Sequence, residues 1–200
     1  MPGKTETLFR TEEDTEKGDF IGAVVNASGL TGGNRAYADA NSSHWAYEQF
    51  KTAREYGLVD GLQIKAYDKL NYKTAFFALY NAIKAKGVTV SENLSLLGNI
   101  DLNGWSEEDK PMLAALLSVK TVSEEELAKI NPTDVVIRGE AAKYVYRLTT
   151  VKNADDPGNT GGETQHGGSN IGLILGIAIP VVVLAAGAAA AFVIVRKKKR

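Results

Sequence analysis

Few residues of this chain could carry out covalent or metal chemistry. Its 200 residues include no cysteine and two histidines, His44 and His166. The composition therefore excludes disulfides, thiolate nucleophiles and thiolate zinc sites, and it leaves little for a histidine-based metal centre. Asp39, Ser43 and His44 are sequence neighbours before a predicted helix, and no oxyanion motif, P-loop or GxGxxG motif accompanies them. We predict no catalytic residue, no metal, no cofactor and no enzyme activity.

The elements that position the remaining polar and aromatic residues form an internal repeat. Three segments align without gaps: KGDFIGAVVNA from Lys17, YKTAFFALYNA from Tyr72 and RGEAAKYVYRL from Arg138. Each copy has apolar residues at the same offsets, separated by steps of four and three residues, which is the spacing of one helix face. These apolar positions are Phe20, Val24, Ala27, Ala75, Leu79, Ala82, Ala141, Val145 and Leu148. The sequence therefore predicts three similar helices.

A second kind of helix precedes the second and third copies. One follows Ser43, a residue type that caps helix N-termini, and ends at Gly57, a residue type that ends helices. The other begins near Trp105, where Pro111 suits the first turn of a helix. An acidic residue stands before each tryptophan: Asp39 before Trp45 and Asp101 before Trp105.

Each unit of the repeat thus consists of an acid, a tryptophan-bearing helix, a loop and a helix headed by Lys or Arg. Residues 1–36 hold a truncated first unit with its last helix alone, 37–90 hold the second unit, and 91–152 hold the third. A capping box from Ser123 predicts an additional short helix in the third unit. Because the first unit lacks its opening helix, we expect this chain to be the C-terminal piece of a longer exported precursor, or its start to have been assigned too far downstream.

This two-part pattern resembles the S-layer homology repeat of bacterial cell-surface proteins. The opening segment begins at Tyr37 and reads YADANSSHWAYEQFKTAREYGLVDG. It is similar to the family's opening motif, which starts with an aromatic residue, Ala or Ser, and Asp. That motif continues with His-Trp-Ala and a helix, and it ends in Gly-Ile/Leu-Val-x-Gly. The segment VIRGEAAKYVYRL, from Val136, is similar to the family's closing Ile-Thr-Arg-Ala/Gly-Glu motif. The resemblance implies a mainly α, pseudo-threefold helical domain that binds secondary cell-wall polymers, often anionic and pyruvylated glycans, without covalent chemistry.

The resemblance also implies which residues bind such a polymer. They match the family's closing or opening motif: Arg138, Glu140, Lys17, Asp19, Trp45, Trp105, Asp39, Asp101 and Gly57. Tyr72 and Thr74 depart from the closing motif. In the third unit the glycine is either replaced by Lys120 or lost, which predicts a malformed groove there. A guanidinium suits a sugar carboxylate, helix N-termini favour anions, and an indole offers a flat face to a sugar ring. The same residues could instead serve as caps, ion pairs and core.

The sequence of residues 153–200 predicts a tether followed by a membrane anchor. Residues 153–170 form a flexible Gly-rich linker, and 171–195 are uncharged and long enough for one transmembrane helix in contact with membrane lipid. The basic tail, 196–200, is placed in the cytoplasm by the positive-inside rule. A single GxxxG motif, Gly172 and Gly176, favours weak dimerisation. Residues 1–170 carry 18 basic against 24 acidic residues, which argues against a nucleic-acid partner.

We therefore expect a single-pass cell-membrane protein whose N-terminal domain is extracellular and associated with the cell wall. Its expected role is to bind a secondary cell-wall polysaccharide or another peptidoglycan-linked polymer and to tether it to the membrane. Two alternatives stay open at this point. The domain could be degenerate and act as a spacer or a protein-interaction module, or it could be the C-terminal anchor of a larger surface enzyme.

Overall fold

The computed structural model describes residues 10–35, 42–62 and 64–152, and these residues form six α-helices. The helices are α1 (Lys17–Ser28), α2 (Tyr47–Glu55), α3 (Tyr72–Ala85), α4 (Lys110–Ser118), α5 (Glu124–Leu127) and α6 (Arg138–Thr150). Two short 3₁₀ helices, Leu94–Leu97 and Glu107–Asp109, precede α4. The described residues contain isolated β-bridges and no strand. The mainly α fold predicted from the sequence is confirmed.

The three repeated segments form α1, α3 and α6, and each helix begins at the residue that heads its copy of the repeat. The predicted apolar stripe faces inward: seven of its nine residues are buried, and Ala27 and Val145 are partly buried against the core. The core also contains Phe50 from α2 and Leu113 from α4. Burial of these apolar surfaces is the main favourable contribution to such a fold.

The segments that precede α1, α3 and α6 meet in a closed ring of backbone hydrogen bonds. The N–H of Thr15 donates to the carbonyl of Val136 over 2.9 Å, and the N–H of Val136 donates to the carbonyl of Leu70 over 2.9 Å. The N–H of Leu70 donates in turn to the carbonyl of Thr15 over 2.8 Å. Each of these residues stands at the same position relative to its helix. The three segments are therefore equivalent in hydrogen bonding and follow each other in cyclic order.

The same ring satisfies the first N–H groups of the three helices, which have no partner within a helix. The N–H groups of Lys17, Tyr72 and Arg138 donate to carbonyls of the neighbouring segment, at Asp68, Asp134 and Glu13 respectively. The following N–H groups do likewise: Gly18 to Ala66, Lys73 to Pro132 and Gly139 to Thr11. These N–H groups are occupied, so an anionic ligand near these helices must be bound by side chains rather than by the first two helix amides.

Helix ends match the sequence in part. The capping box at Ser123 is present, since its hydroxyl accepts from the N–H of Glu126 and its own N–H donates to the Glu126 carboxylate. Pro111 lies in the first turn of α4. The prediction of Ser43 as N-cap of α2 is wrong, because α2 begins at Tyr47 and Ala46 is its N-cap. The residues around His44 form turns instead.

The third unit keeps its turn although it lacks the expected glycine. Gly57 follows α2 with a φ of 73°, in the left-handed region that suits glycine. Lys120 follows α4 with a φ of 57°, so it adopts the same region despite its side chain. The replacement of glycine by Lys120 thus strains the turn without removing it.

Several sequence predictions fall outside the described residues. They are Asp39, the linker 153–170, the transmembrane span 171–195 with Gly172 and Gly176, and the tail 196–200. Among the helices of the described part, none has the length and apolar character needed to cross a membrane.

Candidate functional site

Trp45 and Asp19 are brought together at the surface. Trp45 lies in the turns that precede α2 and is 47% exposed. Asp19 lies in the first turn of α1. The indole N–H of Trp45 donates to Oδ1 of Asp19 over 2.8 Å. A hydrogen bond to a carboxylate fixes the indole in one orientation, while about half of the residue stays exposed to solvent. This pair was predicted as part of the site from its positions in the two motifs.

Two glycines of α1 allow this close contact. A Cβ atom on Gly22 would lie 2.9 Å from Cη2 of Trp45, and a Cβ atom on Gly18 would lie 2.5 Å from Cε1 of His44. Both distances are shorter than a van der Waals contact. Glycines at these positions therefore let the His44-Trp45-Ala46 segment lie directly against the helix backbone.

His44 is buried beside the exposed ring of Trp45, with the two ring centroids 5.8 Å apart. Its Nδ1 accepts a hydrogen bond from the N–H of Ala46 over 3.1 Å, so the proton of the neutral ring belongs on Nε2. Nε2 lies 4.0 Å from Oε2 of Glu16. The imidazole thus supports the first turn of α2 on one side and faces a carboxylate on the other.

Glu16, Asp19 and His44 place their polar atoms within 4.8 Å of one another, which is compatible in distance with a metal site. The hydrogen bonds argue against one. A metal on Nε2 would require the proton to move to Nδ1, which already accepts from Ala46. Oδ1 of Asp19 is likewise engaged by Trp45. The donor set therefore fits a hydrogen-bonded support better than a metal centre.

Two cations lie beside this cluster. Arg138, the first residue of α6, has Nη1 at 3.9 Å from Oδ2 of Asp19. Lys17, the first residue of α1, has Nζ at 3.4 Å from Oδ2 of Asp68. Both separations are long for ion pairs, and partly exposed pairs of this kind contribute little to stability. Both cations thus lie partly exposed at the surface that carries Trp45.

Tyr67 belongs to the same surface, and sequence reasoning missed it. Its side chain is 56% exposed, and its ring meets His44 edge-on with centroids 4.9 Å apart. It stands between Ala66 and Asp68, whose carbonyls accept from the first N–H groups of α1. Neither periodicity nor a motif marked this residue, because its position follows from the hydrogen-bonded ring. We use the name Trp45 cluster for Glu16, Lys17, Asp19, His44, Trp45, Tyr67, Asp68 and Arg138.

Trp105 does not form an equivalent surface. It is 8% exposed, its indole N–H donates to the carbonyl of Ile130 over 3.1 Å, and its ring stacks on Phe76 with centroids 5.6 Å apart and planes 3° apart. Such a ring has no free face for a sugar, so Trp105 is a core residue here. Asp101 is exposed in the preceding loop.

Glu140 is held in a different network. Its carboxylate pairs with Lys143, which also pairs with Glu126 from α5 over 2.7 Å. Partial burial by itself would raise the pKa of Glu126, but hydrogen bonds from Arg147 and Lys143 outweigh it and lower the pKa to about 2. This network ties α5 to α6, which is a structural role.

Gly57 has Asp60 as its nearest side chain and serves the turn after α2.

The chain matches no protein-family model and no curated protein. The resemblance to the S-layer homology repeat therefore stays a prediction that depends on the quoted motifs. The geometry defines a surface with two exposed aromatic rings, two cations and several carboxylates, which is a composition suited to a polar ligand with ring faces.

Proposed function

We propose that this protein is a non-enzymatic cell-surface module that binds an anionic secondary cell-wall polymer through the Trp45 cluster and tethers it to the membrane. In this proposal the described residues form a three-unit domain similar to S-layer homology repeats. Residues 153–170 are the tether, and 171–195 are the membrane span of a protein with an extracellular N-terminal domain.

The orientation of Trp45 is the observation that carries the proposal. Its indole N–H donates to Asp19, and Nη1 of Arg138 lies 3.9 Å from the other oxygen of that carboxylate. Sugar rings bind to flat apolar faces, and a carboxylate substituent binds to a guanidinium through paired hydrogen bonds. Asp19 therefore lies between an aromatic ring and a guanidinium. These are the two groups that would bind a glycan with an acidic substituent.

Co-sedimentation with cell walls tests the proposal. The full chain, solubilised in detergent, is mixed with purified walls of a bacterium whose secondary polymer is pyruvylated, before and after chemical removal of that polymer. We expect pelleting with intact walls and none with stripped walls. Arg138→Ala should weaken binding by about 1.5–3 kcal/mol, the value of a lost hydrogen bond to a charged group.

Arg10→Ala is the matched control for that variant. Arg10 is an exposed arginine that pairs with Glu13, three residues further along the chain. This variant should bind like the wild type. Unchanged affinity of Arg138→Ala, with a helical circular dichroism spectrum, would remove Arg138 from the site.

A second function is favoured by one observation, the burial of Trp105. The surface next to α3 that corresponds to the Trp45 cluster is closed by the stack of Trp105 on Phe76. A domain that has lost one such surface could have lost polymer binding altogether and serve as a spacer or a protein-interaction module. A folded wild-type chain that pellets with neither wall preparation would support this second function.

A further inference from the structure

We propose that Tyr67, with Asp68 and Lys17, forms a second sugar subsite beside Trp45, so that the Trp45 cluster takes at least two successive rings of an anionic glycan. This inference depends on the function proposed above and specifies its ligand. Tyr67 and Asp68 do not belong to the motifs from which the site was predicted.

The two exposed aromatic rings share one buried support, the imidazole of His44. The centroid of His44 is 5.8 Å from Trp45 and 4.9 Å from Tyr67, and both outer rings are about half exposed. His44 itself is 4% exposed. Because the imidazole is packed against Gly18 of α1, the support is rigid and both rings keep their places beside the helix N-terminus.

An ion pair accompanies each aromatic residue. Trp45 donates to Asp19, whose other oxygen lies 3.9 Å from Arg138, and Asp68, the residue after Tyr67, is paired with Lys17. A carboxylate accepts hydrogen bonds from sugar hydroxyls, and a cation binds an acidic substituent. The same combination of a flat ring, an acceptor and a cation thus occurs twice, which matches a ligand that repeats its own chemistry from one sugar to the next.

The other two segments of the ring have no aromatic residue at the position equivalent to Tyr67. These positions, three residues before Thr15 and Val136, are Glu12 and Thr133, and both are exposed. The Tyr67 ring contacts buried His44, yet 56% of the residue stays exposed to water. A ligand that stacks on the exposed part of the ring would cover this apolar surface.

The test compares Tyr67→Thr with Tyr146→Ala in the full chain in detergent micelles. Threonine is the residue at the equivalent position 133, so the first variant retains a side chain that this turn accepts. Tyr146 is 61% exposed on α6 and controls for the loss of an exposed tyrosine. The probe is the secondary polymer released from walls by enzymatic digestion of the peptidoglycan and separated by length, and binding is measured by calorimetry.

The wild type should bind longer fragments more tightly than the shortest ones, and Tyr67→Thr should lose about tenfold in affinity for the longer fragments. Tyr146→Ala should bind like the wild type, and Tyr67→Phe should retain most of the affinity because it keeps the ring. Equal affinity of Tyr67→Thr and wild type, with Trp45→Ala weakened, would overturn the second subsite alone. A wild type that binds no polymer would overturn the proposed function together with it.

Discussion

Gly18→Ala is the substitution for which the structure makes its sharpest prediction. A Cβ atom there would lie 2.5 Å from Cε1 of His44 and 2.9 Å from the carbonyl oxygen of Ala66, and neither group is free to retreat. His44 is buried, and the Ala66 carbonyl accepts from the N–H of Gly18 itself. The added methyl group must therefore shift the His44 segment or the start of α1.

The expected loss follows from two opposing effects. Overpacking a filled site costs about 1–3 kcal/mol. Alanine is preferred to glycine in a helix by roughly 0.5–1 kcal/mol, which offsets part of that cost. We expect Gly18→Ala to lower the free energy of unfolding by about 1–2 kcal/mol, and to weaken polymer binding because His44 supports both exposed rings.

Gly139→Ala is the matched control. Gly139 holds the equivalent position in α6, where its N–H donates to Thr11, and the nearest atoms to an added Cβ lie 3.4 Å away. This variant should be unchanged or more stable by about 0.5 kcal/mol. Urea unfolding of the full chain, followed by circular dichroism, measures both variants. Equal effects of the two substitutions would refute the argument that the His44 contact, rather than the helix start, requires Gly18.

Two further predictions concern stability. Thr15→Val should raise the free energy of unfolding by about 1 kcal/mol in the urea assay, because the Thr15 hydroxyl is buried without a hydrogen bond among the described residues. A less stable variant would show that this hydroxyl has a partner. The pKa of Glu126 is lowered to about 2, so its ionised form adds stability above its ordinary pKa of about 4.5. That stability should be lost as the pH falls from about 4.5 to 2, and Glu126→Gln should flatten this part of the curve.

The helices of the repeat could be predicted because their signals are local. The apolar spacing in the segments from Lys17, Tyr72 and Arg138 identifies a helix face without knowledge of any neighbour. The Ser123 capping box is complete within four residues and is equally local. The start of α2 could not be predicted from Ser43, because the contact of His44 with α1 and its bond to Ala46 decide where that helix begins.

The candidate site could be predicted in part. Lys17, Asp19, Trp45 and Arg138 were identified from motif positions, and the structure brings them together. Tyr67 could not be identified, since its place beside His44 depends on the backbone ring that joins segments far apart in the sequence.

The sequence by itself determined the repeat and the positions of α1, α3 and α6. It assigned the two tryptophan-bearing segments to the units that end in α3 and α6, whereas the structure packs Trp45 against α1 and Trp105 against α3. It could not distinguish Trp45 from Trp105, which stand in similar local contexts. The tertiary structure decided that difference, because Trp45 meets Asp19 and Gly22 of α1, whereas Trp105 meets Phe76 of α3. A carboxylate holds an indole at the surface through its N–H, while a phenyl ring buries it by stacking, and which of the two a tryptophan meets depends on long-range packing.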